Sequence, residues 1–200
     1  MTVTQEKLNI SSPVIKQLYV ILGSENVLTS IEDRYSYAFD TGSVCIDRLY
    51  LPDVVVLPEN TEQVSEILKL ANENNIPITT RGAGTNHAGG CVPVKGGIVV
   101  HLSRMNKILE IDKENLKCRV QPGVVLETLQ KAVEKDGLFY PPDPANLKVS
   151  TIGGSLGMSS SGPRAFKYGG TKDYVLDLEV VLADGTIMRT GSQTVKNVTG

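Results

Sequence analysis

Apolar side chains recur along the first fifty residues in one helical pattern, which is followed by a stretch without periodicity. After Ser12-Pro13, four apolar residues fall at helical spacing and predict a short amphipathic helix. They are Val14, Leu18, Ile21 and Leu22. From Ser30 to Leu51, aromatic, acidic and glycine residues mix without a period, which predicts an irregular loop. Its aromatic side chains either plug the edge of a core or cover a ligand.

The next thirty residues predict a strand, a helix and a second strand. The continuous apolar run from Val54 to Leu57 lies between two prolines, as expected of a strand buried on both faces. A helix begins near Asn60, which forms a capping-box pattern with Gln63, and apolar residues follow it at helical spacing. Residues 76–80 then favour a strand. We interpret this order as a βαβ unit with a right-handed crossover, which places the following residues at the carboxyl edge of a sheet.

The second half of the chain predicts further strands and one helix. The helical pattern begins at Val125 and ends before Gly137, which is placed as a C-terminal cap. Asp184-Gly185 is typical of a hairpin turn between two strands. The strands are expected at residues 97–102, 108–111, 116–120, 175–183 and 186–190.

A glycine-rich loop with four glycines lies between Arg81 and Gly90. Glycine lacks a Cβ and permits positive φ, so successive N–H groups can turn toward one anion. The loop is therefore either a cradle for phosphate or pyrophosphate, or a glycine-rich surface turn. The dinucleotide fingerprint is excluded because His87 stands where its third glycine is required. The Walker motif is excluded because Gly89 is followed by Gly90 and Cys91 rather than by lysine and Ser or Thr.

A second glycine-rich segment without periodicity runs from Pro141 to Gly170. A structureless segment of this length is usually functional or disordered. Disorder fits poorly because apolar residues that require burial recur along it. These are Ile152, Leu156, Met158, Phe166 and Tyr168. A backbone wrapped around a large flat ligand accounts for both features.

Composition and charge narrow the class of protein. The 200 residues are 40% hydrophobic, which suits one domain or two small lobes. The formal net charge of −2 and the lack of blocks of like charge argue against nucleic acid as a partner. The N-terminus shows no leader pattern and no apolar run is long enough for a membrane span, so we expect a cytoplasmic protein. The three cysteines form no Cys-x-x-Cys pair, so we expect reduced thiols and no metal site. They are Cys45, Cys91 and Cys118.

A set of short motifs stands in fixed order between residues 50 and 200. They are Arg81-Gly82-Ala83-Gly84-Thr85 with Gly89-Gly90, Val120-Gln121-Pro122-Gly123, Pro142-Asp143-Pro144, Thr151-Ile152-Gly153-Gly154, Ser161-Gly162-Pro163, Lys167-Tyr168-Gly169, and Leu178-Glu179-Val180-Val181 with Ala183-Asp184-Gly185. In these motifs the sequence resembles the FAD-linked oxidases of the vanillyl-alcohol oxidase and p-cresol methylhydroxylase group, and within it the branch of glycolate oxidase D-subunits and D-lactate dehydrogenases.

The resemblance implies an α+β fold, namely a two-lobed FAD-binding domain of the p-cresol methylhydroxylase type, truncated at its C-terminus. It divides the chain into an N-terminal helical and irregular extension (1–50), a first lobe with the βαβ unit and the pyrophosphate loop (51–105), and an incomplete second lobe (106–200).

The resemblance also implies the cofactor-binding residues. The backbone around the first loop would hold the diphosphate, at Arg81, Gly82, Ala83, Gly84, Thr85, Asn86, Gly89 and Gly90. A second set would line the adenosine, ribityl or isoalloxazine parts of FAD, at Pro142, Asp143, Thr151, Ile152, Gly153, Gly154, Ser161 and Gly162. For Asp143 the alternative is a carboxylate that caps a turn, and for Arg81 a salt bridge that braces the loop entrance.

Some relatives bond the flavin covalently through a histidine in the first loop. The aligned residue here is Thr85 and His87 lies two positions later, so we expect non-covalent FAD, with His87 an ordinary loop side chain. His101 falls in an apolar strand and is interpreted as a histidine at the edge of a core.

The resemblance implies the FAD-binding portion of a dehydrogenase or oxidase of 2-hydroxy acids such as glycolate or D-lactate, with an electron-transfer partner subunit as a further expectation. No residue of the sequence is a convincing catalytic base, so we expect the catalytic groups beyond Gly200 and no turnover by this chain alone. The alternatives are a stand-alone FAD-binding or subunit-interaction module without catalysis, and an oxidase of the same fold that acts on a sugar alcohol or lactone.

Overall fold

The computed structural model describes residues 9–42 and 48–191, which contain six α-helices and eight β-strands around two hydrophobic cores. The helices are α1 (Ser12–Leu22), α2 (Ile31–Tyr35), α3 (Thr61–Glu73), α4 (Leu126–Glu134), α5 (Ile152–Gly157) and α6 (Ala165–Tyr168). The strands are β1 (Val27–Leu28), β2 (Val54–Val56), β3 (Ile78–Arg81), β4 (Ile98–His101), β5 (Ile108–Asp112), β6 (Lys117–Val120), β7 (Asp177–Val181) and β8 (Ile187–Gly191).

The first lobe is built on a four-stranded sheet with the order β1-β2-β4-β3. Strands β2 and β3 both pair in parallel with β4, while β1 pairs antiparallel with β2. The predicted strand, helix and strand are therefore confirmed, but β4 lies between the two strands of the unit. All three residues of β2 are fully buried, which explains why that strand reads as an unbroken apolar run.

The helix α3 begins where the capping pattern predicts. Asn60 Oδ1 accepts a hydrogen bond from the backbone N–H of Gln63 at 2.9 Å. The side chain of Gln63 reaches back to the N–H of Glu59 at 2.8 Å, one residue earlier than an ordinary capping box would place it. The helix buries Ile67, Leu70 and Ala71 against the sheet.

The N-terminal residues pack with the first lobe. Val14 and Leu18 of α1, Val27 of β1 and Ile67 of α3 belong to one core cluster. The expectation of an irregular loop after Ser30 is wrong over α2, whose N-cap is the Ser30 hydroxyl that accepts from the Asp33 N–H at 3.2 Å. A helix of five residues is too short to show a period in the sequence.

The second lobe has its own core around α4, with β5, β6 and α5 packed against it. Its buried members are Val124, Leu126, Leu129, Val133 and Ile152. The hairpin of β5 and β6, the helix α4 and the hairpin of β7 and β8 confirm the sequence prediction. Gly137 and Gly185 adopt positive φ values of 74° and 83°, as the predicted cap and turn require.

The last hairpin also contacts the first lobe. The hydroxyl of Ser65 on α3 donates to the carbonyl of Gly185, and Thr61 Oγ1 donates to Glu179 Oε1 at 2.7 Å. The two lobes are thus joined on the face of α3 as well as at the glycine-rich segments.

The segment from Pro141 to Gly170 is not wholly irregular, since it contains α5 and α6. The helix α5 is capped by Thr151, whose Oγ1 accepts from the Gly154 N–H at 3.3 Å. Three of its six residues are glycine, which disfavours helix by about 1 kcal/mol each. Residue propensities therefore do not predict this helix, and packing against the second core stabilises it instead.

Candidate functional site

The glycine loop, residues 82–90, starts at the carboxyl end of β3, where Arg81 is paired with His101 at the end of β4. Gly84 and Gly89 have φ values of 73° and 74°, a conformation that L side chains rarely adopt. A Cβ at Gly84 would overlap the guanidinium group of Arg81. The loop therefore needs glycine at this position for two separate reasons.

The backbone N–H groups divide the loop into two parts. Within the described chain, the amides of residues 82–87 donate to no protein acceptor. The amides that follow are engaged: Ala88 and Gly90 donate to Asn86 Oδ1, and Gly89 donates to Asp40 Oδ2. The amides of Gly89 and Gly90, predicted to hold a diphosphate, are thus used to shape the loop.

Arg81 is buried under the loop. Its Nη1 donates to the Phe39 carbonyl at 2.9 Å and to Cys91 Sγ at 3.3 Å, and its guanidinium carbon lies 5.4 Å from the ring centroid of Tyr37. Among the described residues no carboxylate forms a salt bridge with it. Arg81 therefore braces the loop entrance through a carbonyl and a ring, and keeps a positive charge beneath the unengaged amides.

Two side chains of the loop are committed to protein contacts. Asn86 accepts from two later amides and donates from Nδ2 to Cys91 Sγ at 3.0 Å. Thr85 Oγ1 accepts from Nδ2 of Asn146 at 2.6 Å, across from the second lobe. The contact between Thr85 and Asn146 was not visible in the sequence, because these two residues are separated by 61 positions.

The two glycine-rich segments meet. A Cβ at Gly82 would overlap Thr151 Oγ1 and lie 3.6 Å from the Cα of Gly154, and a Cβ at Gly90 would lie 3.3 Å from Met158 Sδ. The loop of the first lobe and the start of α5 in the second lobe are thus in contact. Glycine at position 82 makes this approach possible, so the site lies between the lobes.

Some of the other predicted residues of the second lobe pack within that lobe, and others contact the glycine loop. Ile152 is in the second core, and Gly153 donates its N–H to the Pro122 carbonyl at 2.8 Å. The carbonyl of buried Pro142 accepts from Gln130 Nε2 at 2.8 Å. The residues Thr151 and Gly154 touch the glycine loop directly, as described above.

Asp143 and Gly162 are in contact, since a Cβ at Gly162 would overlap the Asp143 carbonyl. Asp143 accepts from the Arg164 backbone N–H at 3.2 Å and pairs with Arg164 Nε at 3.2 Å. This pairing spans 21 residues of sequence and engages the Asp143 carboxylate with protein partners. Ser161, next to Gly162, is exposed.

The two histidines differ in environment. His87 is exposed at the tip of the loop. His101 is half-buried below it, and its ring centroid lies 5.2 Å from that of Tyr37. Burial, and next the positive charge of Arg81, lower the pKa of His101 below its ordinary value of 6.5, although backbone carbonyls at Arg81 and Gly82 oppose the shift. His101 therefore favours the neutral form.

The described residues also bear on metal binding and membrane insertion. No group of three or more His, Cys, Asp and Glu side chains there is arranged to hold a metal ion. No helix in the same ranges is long and apolar enough to cross a membrane. Cys91 and Cys118 are free thiols, and Cys45 lies outside the described residues.

A family model described as an FAD binding domain matches residues 52–191, which include both glycine-rich segments. The chain therefore belongs to the FAD-binding domain family. The predicted cofactor, FAD, is the one that this family binds.

Two relatives carry the names of a glycolate oxidase subunit and a D-lactate dehydrogenase. The chain is 47% identical over 191 residues to glycolate oxidase subunit GlcD of Bacillus subtilis (strain 168), covering 96% of this chain and 40% of that protein. It is 46% identical over 149 residues to a D-lactate dehydrogenase of Anaerostipes hadrus, covering 74% and 31%. The fold matches substrate-bound p-cresol methylhydroxylase with a TM-score of 0.77 at 27% identity, covering 92% and 36%.

The structural match confirms the α+β fold of the p-cresol methylhydroxylase type. The chain spans less than half the length of each of these proteins.

Proposed function

We propose that the glycine loop holds the diphosphate of FAD through the backbone amides of residues 82–87. The observation that carries this proposal is the set of adjacent amides without a protein acceptor, above a buried Arg81 and beside α5. Adjacent backbone N–H groups without a protein partner can bind an anion, and the diphosphate of FAD supplies one. A loop that requires Gly82 and Gly84 also leaves no Cβ to hold such an anion away.

The residues fit the cofactor on the side of the second lobe as well. Thr151, Gly154, Ser161 and Gly162 would line the adenosine, ribityl or isoalloxazine part of FAD, while Pro142 and Ile152 act through their buried packing. Bound FAD supplies a hydride acceptor for oxidation of a carbon that bears a hydroxyl group. In this proposal the residues of this chain bind and orient the cofactor between the two lobes.

We further propose that the whole protein oxidises a 2-hydroxy acid of the glycolate or D-lactate type. The support is that relatives 47% and 46% identical carry the names glycolate oxidase subunit and D-lactate dehydrogenase. Catalytic groups are not assigned to any described residue. An electron-transfer partner subunit and a cytoplasmic location are part of the same proposal and would be tested by co-purification and cell fractionation.

We propose that FAD is bound without a covalent bond. Thr85 is a weak nucleophile whose hydroxyl is already hydrogen-bonded to Asn146. Cys91 is buried and accepts hydrogen bonds from Arg81 and Asn86. Acid precipitation of the purified protein should release the flavin into the supernatant. A flavin that stays with the precipitate, and that is lost in His87→Ala, would show a covalent bond at the exposed histidine.

The diphosphate assignment is tested by competition. FAD should bind the purified protein and quench flavin fluorescence, ADP should displace it, and adenosine should not, because only the diphosphate faces the amides of the loop. Displacement by adenosine as effective as that by ADP would contradict the role of the loop.

The reaction is tested with the full-length protein and an artificial electron acceptor. Reduction of the bound flavin by glycolate or D-lactate, and not by sugar alcohols or lactones, is the expected result. Flavin that is stably bound and reduced by none of these compounds would favour the alternative of a binding or interaction module.

A further inference from the structure

A short segment that precedes the family match contacts the middle and the end of the glycine loop. We call this segment, residues 37–42, the clasp. It lies outside residues 52–191, to which the family model applies. The sequence showed no role for it beyond plugging a core edge or covering a ligand.

Thr41 of the clasp binds the loop carbonyls. Its backbone N–H donates to the Asn86 carbonyl at 3.2 Å. Its hydroxyl lies 2.8 Å from the Asn86 carbonyl and 3.0 Å from the Thr85 carbonyl. A trans peptide is planar, with its C=O and the next N–H pointing in opposite directions. Holding these two carbonyls toward Thr41 therefore turns the N–H groups of Asn86 and His87 away from the clasp.

Asp40 fixes the other end of the loop. It is 8% exposed, its Oδ2 accepts from the Gly89 N–H at 2.8 Å and its Oδ1 accepts from the Gly42 N–H at 2.8 Å. A carboxylate next to an anion site would by itself weaken anion binding, because like charges repel. Its contribution must therefore come from the shape that it imposes on the loop.

The clasp and the loop are in backbone contact. A Cβ at Gly42 would overlap the carbonyl of His87, so only glycine permits this approach. The Phe39 carbonyl accepts from Arg81, which lies beneath Gly84. The clasp thus touches Arg81, which precedes the loop, and the middle and the end of the loop itself.

We infer that the clasp is a positioning element for the cofactor, with Asp40 and Thr41 as the residues that hold the glycine loop in its diphosphate-binding form. Thr41 turns the N–H groups of Asn86 and His87 away from the clasp, and Asp40 engages the Gly89 N–H at the end of the loop. This inference rests on the proposed FAD binding and extends the binding machinery to residues that precede the matched domain.

The test uses the full-length protein and three single variants. In Asp40→Asn the side-chain NH2 group replaces one carboxylate oxygen, so it faces a backbone N–H and cannot accept its hydrogen bond. Thr41→Val removes the hydroxyl with little change of shape. Asp53→Asn is the matched control. Asp53 is also 8% exposed, and its carboxylate also accepts from two backbone amides, Asn9 at 3.0 Å and Gly97 at 2.8 Å. It contacts the turn before β4 and not the glycine loop.

We expect Asp40→Asn and Thr41→Val each to weaken FAD binding by about tenfold or more, as the loss of one charge-assisted or paired hydrogen bond predicts. ADP binding should weaken by the same factor, because the clasp acts on the diphosphate site. Asp53→Asn should lower the stability of the fold and leave both affinities unchanged. Amide hydrogen exchange of the apoprotein should accelerate at Gly89 in Asp40→Asn only.

Unchanged FAD and ADP affinities in Asp40→Asn and Thr41→Val would overturn the inference, and so would an equal loss in Asp53→Asn. If Asp40→Asn does not fold, Thr41→Val decides the question alone, since its side chain lies at the surface. A wild-type protein that binds no FAD would instead overturn the proposed function, which keeps the two failures distinct.

Discussion

Gly84 combines a left-handed backbone with contact to a buried cation. We expect Gly84→Ala to weaken FAD binding by about tenfold, because the new Cβ overlaps the Arg81 guanidinium and forces the loop to move. Gly137→Ala is the control, since Gly137 has a φ of 74° and open space within 4 Å. Both variants should lose about 1 kcal/mol of folding stability from the strained backbone. Calorimetric titration with FAD separates them, and equal affinities would contradict the steric argument.

His101 gives the fold a dependence on pH. Its pKa in the folded protein is lower than 6.5, so the unfolded chain binds the proton more readily. Stability should therefore be full above about pH 6.5 and fall as the pH drops through and below that value. His101→Phe keeps a ring beside Tyr37 and should flatten this dependence between pH 7.5 and 5 in urea denaturation. A slope that persists in the variant would place its source elsewhere.

At the scale of residues, the sequence indicates the positions of the glycine loop but not their partners. Glycine spacing points to Gly82 and Gly84, because a residue without a Cβ allows other atoms to approach its backbone closely. Asp40 and Thr41 could not be found in this way, since they meet the loop across 44 to 49 residues of sequence and leave no periodic trace. The pattern likewise could not show that the Gly89 and Gly90 amides are already engaged.

The helix α5 couples the second lobe to the glycine loop through its cap. Thr151→Ala removes the acceptor for the Gly154 N–H and the atom that touches Gly82, so it should destabilise the fold by about 1 kcal/mol and weaken FAD binding. Asn60→Ala removes the equivalent cap of α3 and should cost a similar amount of stability with no effect on FAD. Thermal unfolding and FAD titration of both variants test this, and an equal effect on affinity would contradict it.

At the scale of elements, long periodic segments were predictable and short or glycine-rich ones were not. The helices α1, α3 and α4 show their apolar face in the sequence, and the hairpins show their turns. The helix α2 has five residues, and α5 contains glycine where helix formers are expected, so tertiary packing rather than propensity decides both. The position of β4 between β2 and β3 is likewise set by pairing, which no local pattern encodes.

Gly123 sets how the two lobes meet. Its N–H donates to the Met105 carbonyl at 2.7 Å, and a Cβ there would overlap the carbonyls of Leu102 and Met105. Because backbone cannot be displaced as a flexible side chain can, Gly123→Ala should destabilise the fold by about 2 kcal/mol or more and weaken FAD binding between the lobes. Gly157→Ala, in α5 with nothing within 4 Å, should stabilise it by up to about 1 kcal/mol. Urea denaturation measures both changes, and a stable Gly123→Ala with unchanged affinity would contradict this role.

At the scale of the whole molecule, the sequence predicted two lobes, but not the contacts that hold them together. The pairs Thr61 with Glu179 and Ser65 with Gly185 bridge more than one hundred residues. Contacts of this length depend on the complete topology. They are the reason that the site between the lobes becomes visible only in the folded structure.

The strand order β1-β2-β4-β3 also bears on the synthesis of the protein. A ribosome delivers the chain from its N-terminus, so β2 and β3 emerge before the strand that separates them. Until Ile98–His101 is available, the valines of β2 have a partner on one side only, and β3 has none within this sheet. The nascent chain thus exposes an unpaired apolar strand edge during the interval, which is the form most prone to aggregate. A chaperone that shields residues 54–81 during this interval would raise the yield of folded protein.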